Sequence, residues 1–270
     1  MSVKTDKDRR RVEMDIDLPG TPEQIWRAMA TGQGMTAWFV PVTIDERVGG
    51  AMNFRFGDGI ESKGEVRAWE PPHRFVYEEA GWSGEAPPLA TEILIEAKSG
   101  GVCRMRMTHS LFTEKDDWDK EIEGMENGWP PFFDVLRIYL THFPDLPAAT
   151  ARPTTRYAGT MPDAWSALTD ALKLNGAKLG ERREAHPDGP AALAGIVERI
   201  GEKDTHNEIA LRLSEPSAGV ALIGAYFWGG DTRIAVSLYF YGDDADQLAR
   251  REEPLWSAWL KKEFAPAEDA

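Results

Sequence analysis

The stretch MDIDLPGTPEQIWRAM, residues 14–29, decides the fold. Its first five residues alternate apolar and acidic, the period of two that marks a strand with one wet face. Thr21 then reads as a helix N-cap, Pro22 as the first helical residue and Gln24 as the capping-box partner. Ile25 and Met29 fall on one face of the helix that follows. A strand feeding a capped helix recurs 139 residues later, where Gly159, Thr160, Trp165, Ala167 and Leu168 repeat the spacing of Gly20, Thr21, Trp26, Ala28 and Met29. Repeated element order, more than these few matches, implies two copies of one unit.

Outward from the first copy, a short helix is expected near Met35–Trp38. A run of alternating strands follows. Met52, Phe54 and Phe56 alternate with Asn53 and Arg55; Val66 with Arg67; Phe75 and Tyr77 follow Pro71-Pro72; Ile93 and Ile95 alternate with Glu92 and Glu96. Met105, Met107 and His109 alternate with Arg104, Arg106 and Thr108. Such alternation means an antiparallel sheet with one buried face. Gly49-Gly50 and Gly100-Gly101 sit where hairpin turns are needed. Trp129, Phe132, Phe133, Leu136, Leu140 and Phe143 share one face of a helix expected after Pro130. The fold class is α+β: a curved antiparallel sheet closed by a long C-terminal helix, the helix-grip arrangement, since the sheet's apolar face needs a cover.

The second half repeats this order with strands near 192–200, 207–213, 219–228 and 232–241, one fewer than the first. VALIGAYFW and IAVSLYFY are apolar on both faces, which suits a sheet covered twice. PDLPAATARP, residues 144–153, holds three prolines in ten residues and reads as the boundary. The division expected is a disordered N-terminus at 1–11, a first domain at 12–145, a linker at 146–153 and a second, degenerate domain at 154–265.

Composition narrows the function. The net charge of −14 disfavours nucleic-acid binding. No apolar run approaches the ~20 residues of a membrane span, and no signal-peptide pattern opens the chain. One cysteine, Cys103, is incompatible with an internal disulfide or a multi-cysteine metal site and points to the cytoplasm. It is placed on the outward face beside a hairpin, with no neighbour to activate it. Ten tryptophans and eleven phenylalanines imply either large solid cores or an aromatic-lined cavity.

TPEQIWRAM, TAWFVP, VGGAMNFRF, KGEVRAWEPPHRFVYE, RMRMTHSLF and NGWPPFFDVLRIYL, taken as an ordered set over about residues 12–143, resemble the family of activators of heat-shock-protein-90 ATPase, within the SRPBCC or START-like superfamily. The resemblance implies a helix-grip fold with a cavity between sheet and final helix, and a link to chaperones and the stress response. It implies no single reaction and no cofactor.

The residues expected to line that cavity are Phe54, Phe56, Tyr77, Met105, Met107, His109, Trp129, Phe133 and Leu136, which would equally fill a solid core. His109 and Tyr77 are the candidates for proton transfer, and either reads as well as a packed core residue. His73, after two prolines, is expected to be exposed. The acidic run Glu114, Asp116, Asp117, Asp119, Glu121, Glu123 and Glu126 lacks the spacing of a calcium loop and reads as a solvated surface. No phosphate loop, nucleophile elbow or metal-spaced histidine pair is present. The expected function is non-enzymatic binding of a small hydrophobic molecule. A module for a chaperone or another protein partner, a homodimer included, is the alternative; a cyclase- or hydrolase-like enzyme using His109 and Tyr77 is the second alternative.

Overall fold

The computed structural model describes residues 4–6, 9–57, 59–82, 85–113, 115–203 and 206–266. The chain divides into two compact units, Met1–Asp145 and Leu146–Ala270, and each is built as a sheet with a long closing helix.

The first unit runs β1 (Lys4–Asp6), β2 (Arg9–Pro19), α1 (Pro22–Ala30), α2 (Gly32–Thr36), β3 (Val42–Ile44), β4 (Ala51–Gly57), β5 (Ile60–Glu70), β6 (Arg74–Ala80), β7 (Leu89–Lys98), β8 (Val102–Phe112) and α3 (Asp119–His142). The strands form one antiparallel sheet in the order β1-β2-β8-β7-β6-β5-β4-β3. The second unit runs β9 (Ala148–Ala151), β10 (Thr154–Tyr157), α4 (Met161–Ala171), β11 (Arg182–Ala185), β12 (Leu193–Lys203), β13 (His206–Glu215), β14 (Gly219–Trp228), β15 (Asp231–Tyr241) and α5 (Ala245–Phe264). Its sheet runs β10-β15-β14-β13-β12-β11, with β9 also on β15. Both units are helix-grip folds.

The echo in the sequence is a real repeat of caps. The Thr21 hydroxyl accepts from the Gln24 amide, and the Gln24 side chain returns the bond to the Thr21 amide. The Thr160 hydroxyl accepts from the Asp163 amide. Removing either hydroxyl leaves a first-turn amide without its partner. Thr21→Ala and Thr160→Ala should each cost about 1 kcal/mol, each within its own unit. Urea unfolding followed by hydrogen exchange region by region checks this; a loss of the same size in both units from one substitution would contradict it.

Four boundaries differ from the sequence reading. Lys4–Asp6 and Arg9–Pro19 are strands rather than a disordered end, because β2 pairs along its whole length with β8, from Arg9 opposite Phe112 to Pro19 opposite Val102. The segment expected as a linker, 146–153, contains β9, which lies antiparallel on β15 with Ala151 opposite Leu238. β9 and β10 follow one another along β15 as a single edge strand broken at Arg152-Pro153. An edge tolerates that break because a proline there sacrifices no ladder donor, and Val236 donates to the Pro153 carbonyl at 3.1 Å. Third, α2 spans Gly32–Thr36, earlier than Met35–Trp38. Fourth, α3 begins at Asp119, well before Pro130, and carries Pro130 and Pro131 inside it. Asp119 and Glu121 in its first turn suit the positive end of the helix dipole, and Arg10 grips both oxygens of Asp119.

The core of the second unit gathers Leu168, Val197, Ile209, Leu211, Ile223, Val236, Leu238, Trp256 and Leu260 between sheet and α5. Val220 and Tyr239, which face away from that core, are also fully buried. Discounting β1 and taking β9 and β10 as one, the second sheet has one strand fewer than the first. No helix among the described residues is long and apolar enough to cross a membrane.

Candidate functional site

The first unit's inner face is set by register. Val66, Tyr77, Thr91, His109 and Val12 stand opposite one another across β5, β6, β7, β8 and β2. Side chains opposite each other share a face, and Trp129 of α3 reaches this row, so it is the face that α3 covers. Its indole N–H donates to Nε2 of His109 at 2.8 Å, with the two rings stacked at 5.7 Å.

That bond fixes the tautomer of His109. An acceptor Nε2 leaves the proton on Nδ1, which lies 2.9 Å from the Thr91 hydroxyl and donates to it. Thr91 in turn hydrogen-bonds Tyr77. The imidazole is only 2% exposed, and burial lowers its pKa to about 4. Both ring nitrogens are therefore engaged, and the ring is neutral near pH 7. Burial, together with the nearby Glu79, raises the Tyr77 phenol far above its ordinary value. The two side chains expected to transfer protons are joined through Thr91 and held away from the range in which they would do so at neutral pH.

The aromatic residues pack against one another on this face. Phe39 lies 4.6 Å from Trp129, Trp129 stacks on Phe133 at 5.5 Å, and Phe54 lies 5.6 Å from Tyr77. Met105, Met107 and Leu136 are fully buried. Phe56 differs from the rest: it is 37% exposed, stacked on Phe54 beside a bulge between Arg55 and Gly57, and it forms a rim rather than a wall. Val12, Leu89, Leu111 and Ile122 form a separate small apolar cluster, with Trp82 and Trp118 against it.

The residue the sequence reading missed is Glu79. It follows Phe75 and Tyr77 in the same phase of β6, opposite Gly64 on one side and Leu89 on the other. Its side chain is 9% exposed, and burial raises its pKa. One carboxyl oxygen accepts from the Ser62 hydroxyl at 2.5 Å; the other has no hydrogen-bond partner among the described residues. Gly64 leaves it room, since a Cβ there would stand 3.4 Å from the Glu79 Cγ and 2.8 Å from the Glu78 carbonyl. The signal was in the sequence: FVYEE continues the alternation of Phe75 and Tyr77 to an acidic residue at an inward position.

Three other expectations resolve here. Cys103 is buried, not outward, and its thiol donates to the Gly20 carbonyl at 3.3 Å. It stands two residues before Met105, so the alternation that buries Met105 buries it too, and burial raises its pKa. His73 is exposed. Within the acidic run, Glu114 and the side chain of Glu126 lie outside the described residues; Asp116 and Asp117 are exposed and precede α3. No group of three or more His, Cys, Asp or Glu side chains among the described residues is arranged to hold a metal ion. A separate open cleft of about 370 Å³ lies in the second unit, lined by Met161, Pro162, Glu202, Lys203 and Asn207. None of the predicted lining residues borders it.

A helix-grip sheet with an aromatic inner face and a polar row beneath its closing helix defines the class. Residues 19–141 match the family described as Activator of Hsp90 ATPase homolog 1-like protein. No curated protein matches the chain in sequence. Among solved structures, protein MLL2253 from Mesorhizobium loti is 23% identical over 50% of this chain and 98% of its own, with a TM-score of 0.46. Aha1 from Colwellia psychrerythraea, solved as a dimer, is 23% identical over 48% of this chain and 95% of its own, with a TM-score of 0.41. The di-domain ARO/CYC protein BexL from the BE-7585A biosynthetic pathway is 12% identical, covers 95% of this chain and 99% of its own, and has a TM-score of 0.44.

Proposed function

We propose that the first domain, residues 12–145, binds a small, largely apolar molecule between the inner face of its sheet and α3. The observation that carries this reading is the composition of that face. Phe54, Tyr77, Trp129, Phe133, Met105 and Met107 supply apolar and aromatic surface, the Tyr77, Thr91 and His109 polar atoms are bonded within that face and to Trp129, and Ser62 and Glu79 supply a polar group beside it. A binding wall is mostly apolar with a few placed polar groups, and a core built only for stability has no need of an unmatched carboxyl. Thermal unfolding with a panel of long-chain lipids and polycyclic aromatic compounds tests it. A ligand present at a hundred times its Kd adds about 2.7 kcal/mol of stability, and that gain should be confined to the first domain. A panel that leaves the unfolding temperature unchanged, with no intermolecular contacts to Tyr77 or Trp129 by NMR, rejects the reading.

A second reading, a module that docks a chaperone or another protein, draws support from one feature. The β14–β15 hairpin tip presents Phe227 and Trp228, 57% and 53% exposed, to solvent. Exposed aromatic pairs are common at protein interfaces. Loss of chaperone capture by the double variant Phe227→Ser, Trp228→Ser would favour it.

A further inference from the structure

Resting on the ligand-binding reading, we propose that Glu79 anchors the polar end of that ligand, and that this end is a hydrogen-bond donor, a hydroxyl or an amine, carried on an apolar body. Four observations converge on this residue. Glu79 points to the same face as Phe75 and Tyr77 by strand parity, and that face is covered by α3 through Trp129. Its neighbours there are Leu89, the Ser62 hydroxyl and a glycine, none of which offers a counter-charge. The fold gives it a single bond, from Ser62, and leaves its second oxygen with no partner among the described residues. The apolar cluster of Leu89, Leu111 and Ile122, with Trp82 and Trp118 packed on it, lies at this same end of the sheet.

A buried carboxyl without a cation beside it opposes folding, whether it pays desolvation as an anion or takes up a proton. Its second oxygen is not among the side-chain atoms both sealed from solvent and unsatisfied, so it stays within reach of a donor arriving from solvent. Ser62 matters because it occupies one oxygen and so directs the other. A hydroxyl donates one bond to that oxygen and keeps its own oxygen for a neighbour. An amine gains more, because its charge matches the carboxylate it would stabilise. A carboxylate ligand meets a like charge at the same place. The apolar body then lies along Tyr77 and Phe54 toward α3, where only dispersion and burial hold it.

The test uses the full chain and four probes with one apolar body: 2-(2-naphthyl)ethylamine, 2-(2-naphthyl)ethanol, 2-naphthylacetate and 2-ethylnaphthalene. Binding is followed by calorimetry and by NMR shifts of the Tyr77 and Trp129 ring protons. In the native protein the amine and the alcohol should bind roughly tenfold or more tighter than the other two, the value of one well-made bond to a charged or buried acceptor. Glu79→Leu should bring all four within about threefold of one another. Glu79→Gln keeps an acceptor but no charge, so the alcohol's preference should persist and the amine's should fall. Retained binding of 2-ethylnaphthalene in each variant shows that the fold and the apolar wall are intact. Equal binding of all four probes by the native protein, or a donor preference that survives Glu79→Leu, overturns the anchor and leaves the apolar site standing. The carboxylate binding tightest also overturns it. No binding of any probe removes the anchor and the ligand-binding reading together.

Discussion

Replacing Trp38 by alanine should destabilise the first domain by about 3–5 kcal/mol, the cost of removing a fully enclosed indole. Trp38 is 0% exposed. Its ring lies 5.7 Å from Phe39, and 6.1 Å from both Trp129 and Phe133. It therefore joins the loop after α2 to the helix that closes the sheet. Its Nε1–H donates to the Ala28 carbonyl at 2.9 Å, which ties the same ring to the end of α1. Three elements thus lose their common contact at once, and the neighbours are large flat rings that cannot collapse into the space. Trp228, 53% exposed on a hairpin tip, is the control: Trp228→Ala should change stability by no more than about 0.5 kcal/mol. Because two units in one chain need not unfold together, hydrogen exchange resolved by region is the measurement. A loss below about 1 kcal/mol in residues 9–143 would mean that the aromatic cluster is loosely packed and that Trp38 does not hold it.

Much of this architecture is legible in local patterns. The caps at Thr21 and Thr160, the period-two strands and the apolar stripe of α3 each depend on neighbours within a few residues, and each is readable there. The edge strand within PDLPAATARP is not, because its hydrogen bonds come from β15, some ninety residues away in the chain. Proline and alanine argue against a strand locally, and long-range pairing overrides them. The start of α3 hides for a related reason. Its first two turns are acidic with Ile122 as their buried apolar residue, and what fixes them is Arg10 on β2. Glu79 and Cys103 were legible in principle: each continues an alternation that had already assigned Tyr77 and Met105 inward. Residue type argued for the surface in both cases, and strand parity decides otherwise. The polar row itself, Tyr77 to Thr91 to His109, needed register, which the sequence does not contain, since the turn geometry and bulges that set it act across strands.

The second large effect is a loss of stability in acid that passes through His109. In the folded chain its pKa lies near 4, against an ordinary value of 6.5. Between those values the unfolded chain carries the proton and the folded chain does not. The unfolded state binds more protons there, so stability rises with pH across that window. The contribution of the neutral ring is complete above about pH 6.5 and is lost progressively as pH falls toward 4, reaching about 2–3 kcal/mol by pH 4.5. The geometry gives the cause. Protonation puts a hydrogen on Nε2, which must then give up the indole N–H of Trp129 and face it as a second donor. Glu79 acts in the opposite sense: its raised pKa means that protonating it as pH falls favours the folded state. A bare pH profile therefore mixes the two, and the comparison with His109→Gln separates them. Glutamine presents one acceptor toward Trp129 and one donor toward Thr91, and it does not titrate in this range. Near pH 7 the variant should be the less stable of the two, through imperfect packing. Between pH 7 and 4.5 the native protein should lose about 2–3 kcal/mol more than the variant does, so the gap between them closes or reverses. Parallel pH profiles for the two proteins would mean that His109 is not the buried neutral base that its two hydrogen bonds define.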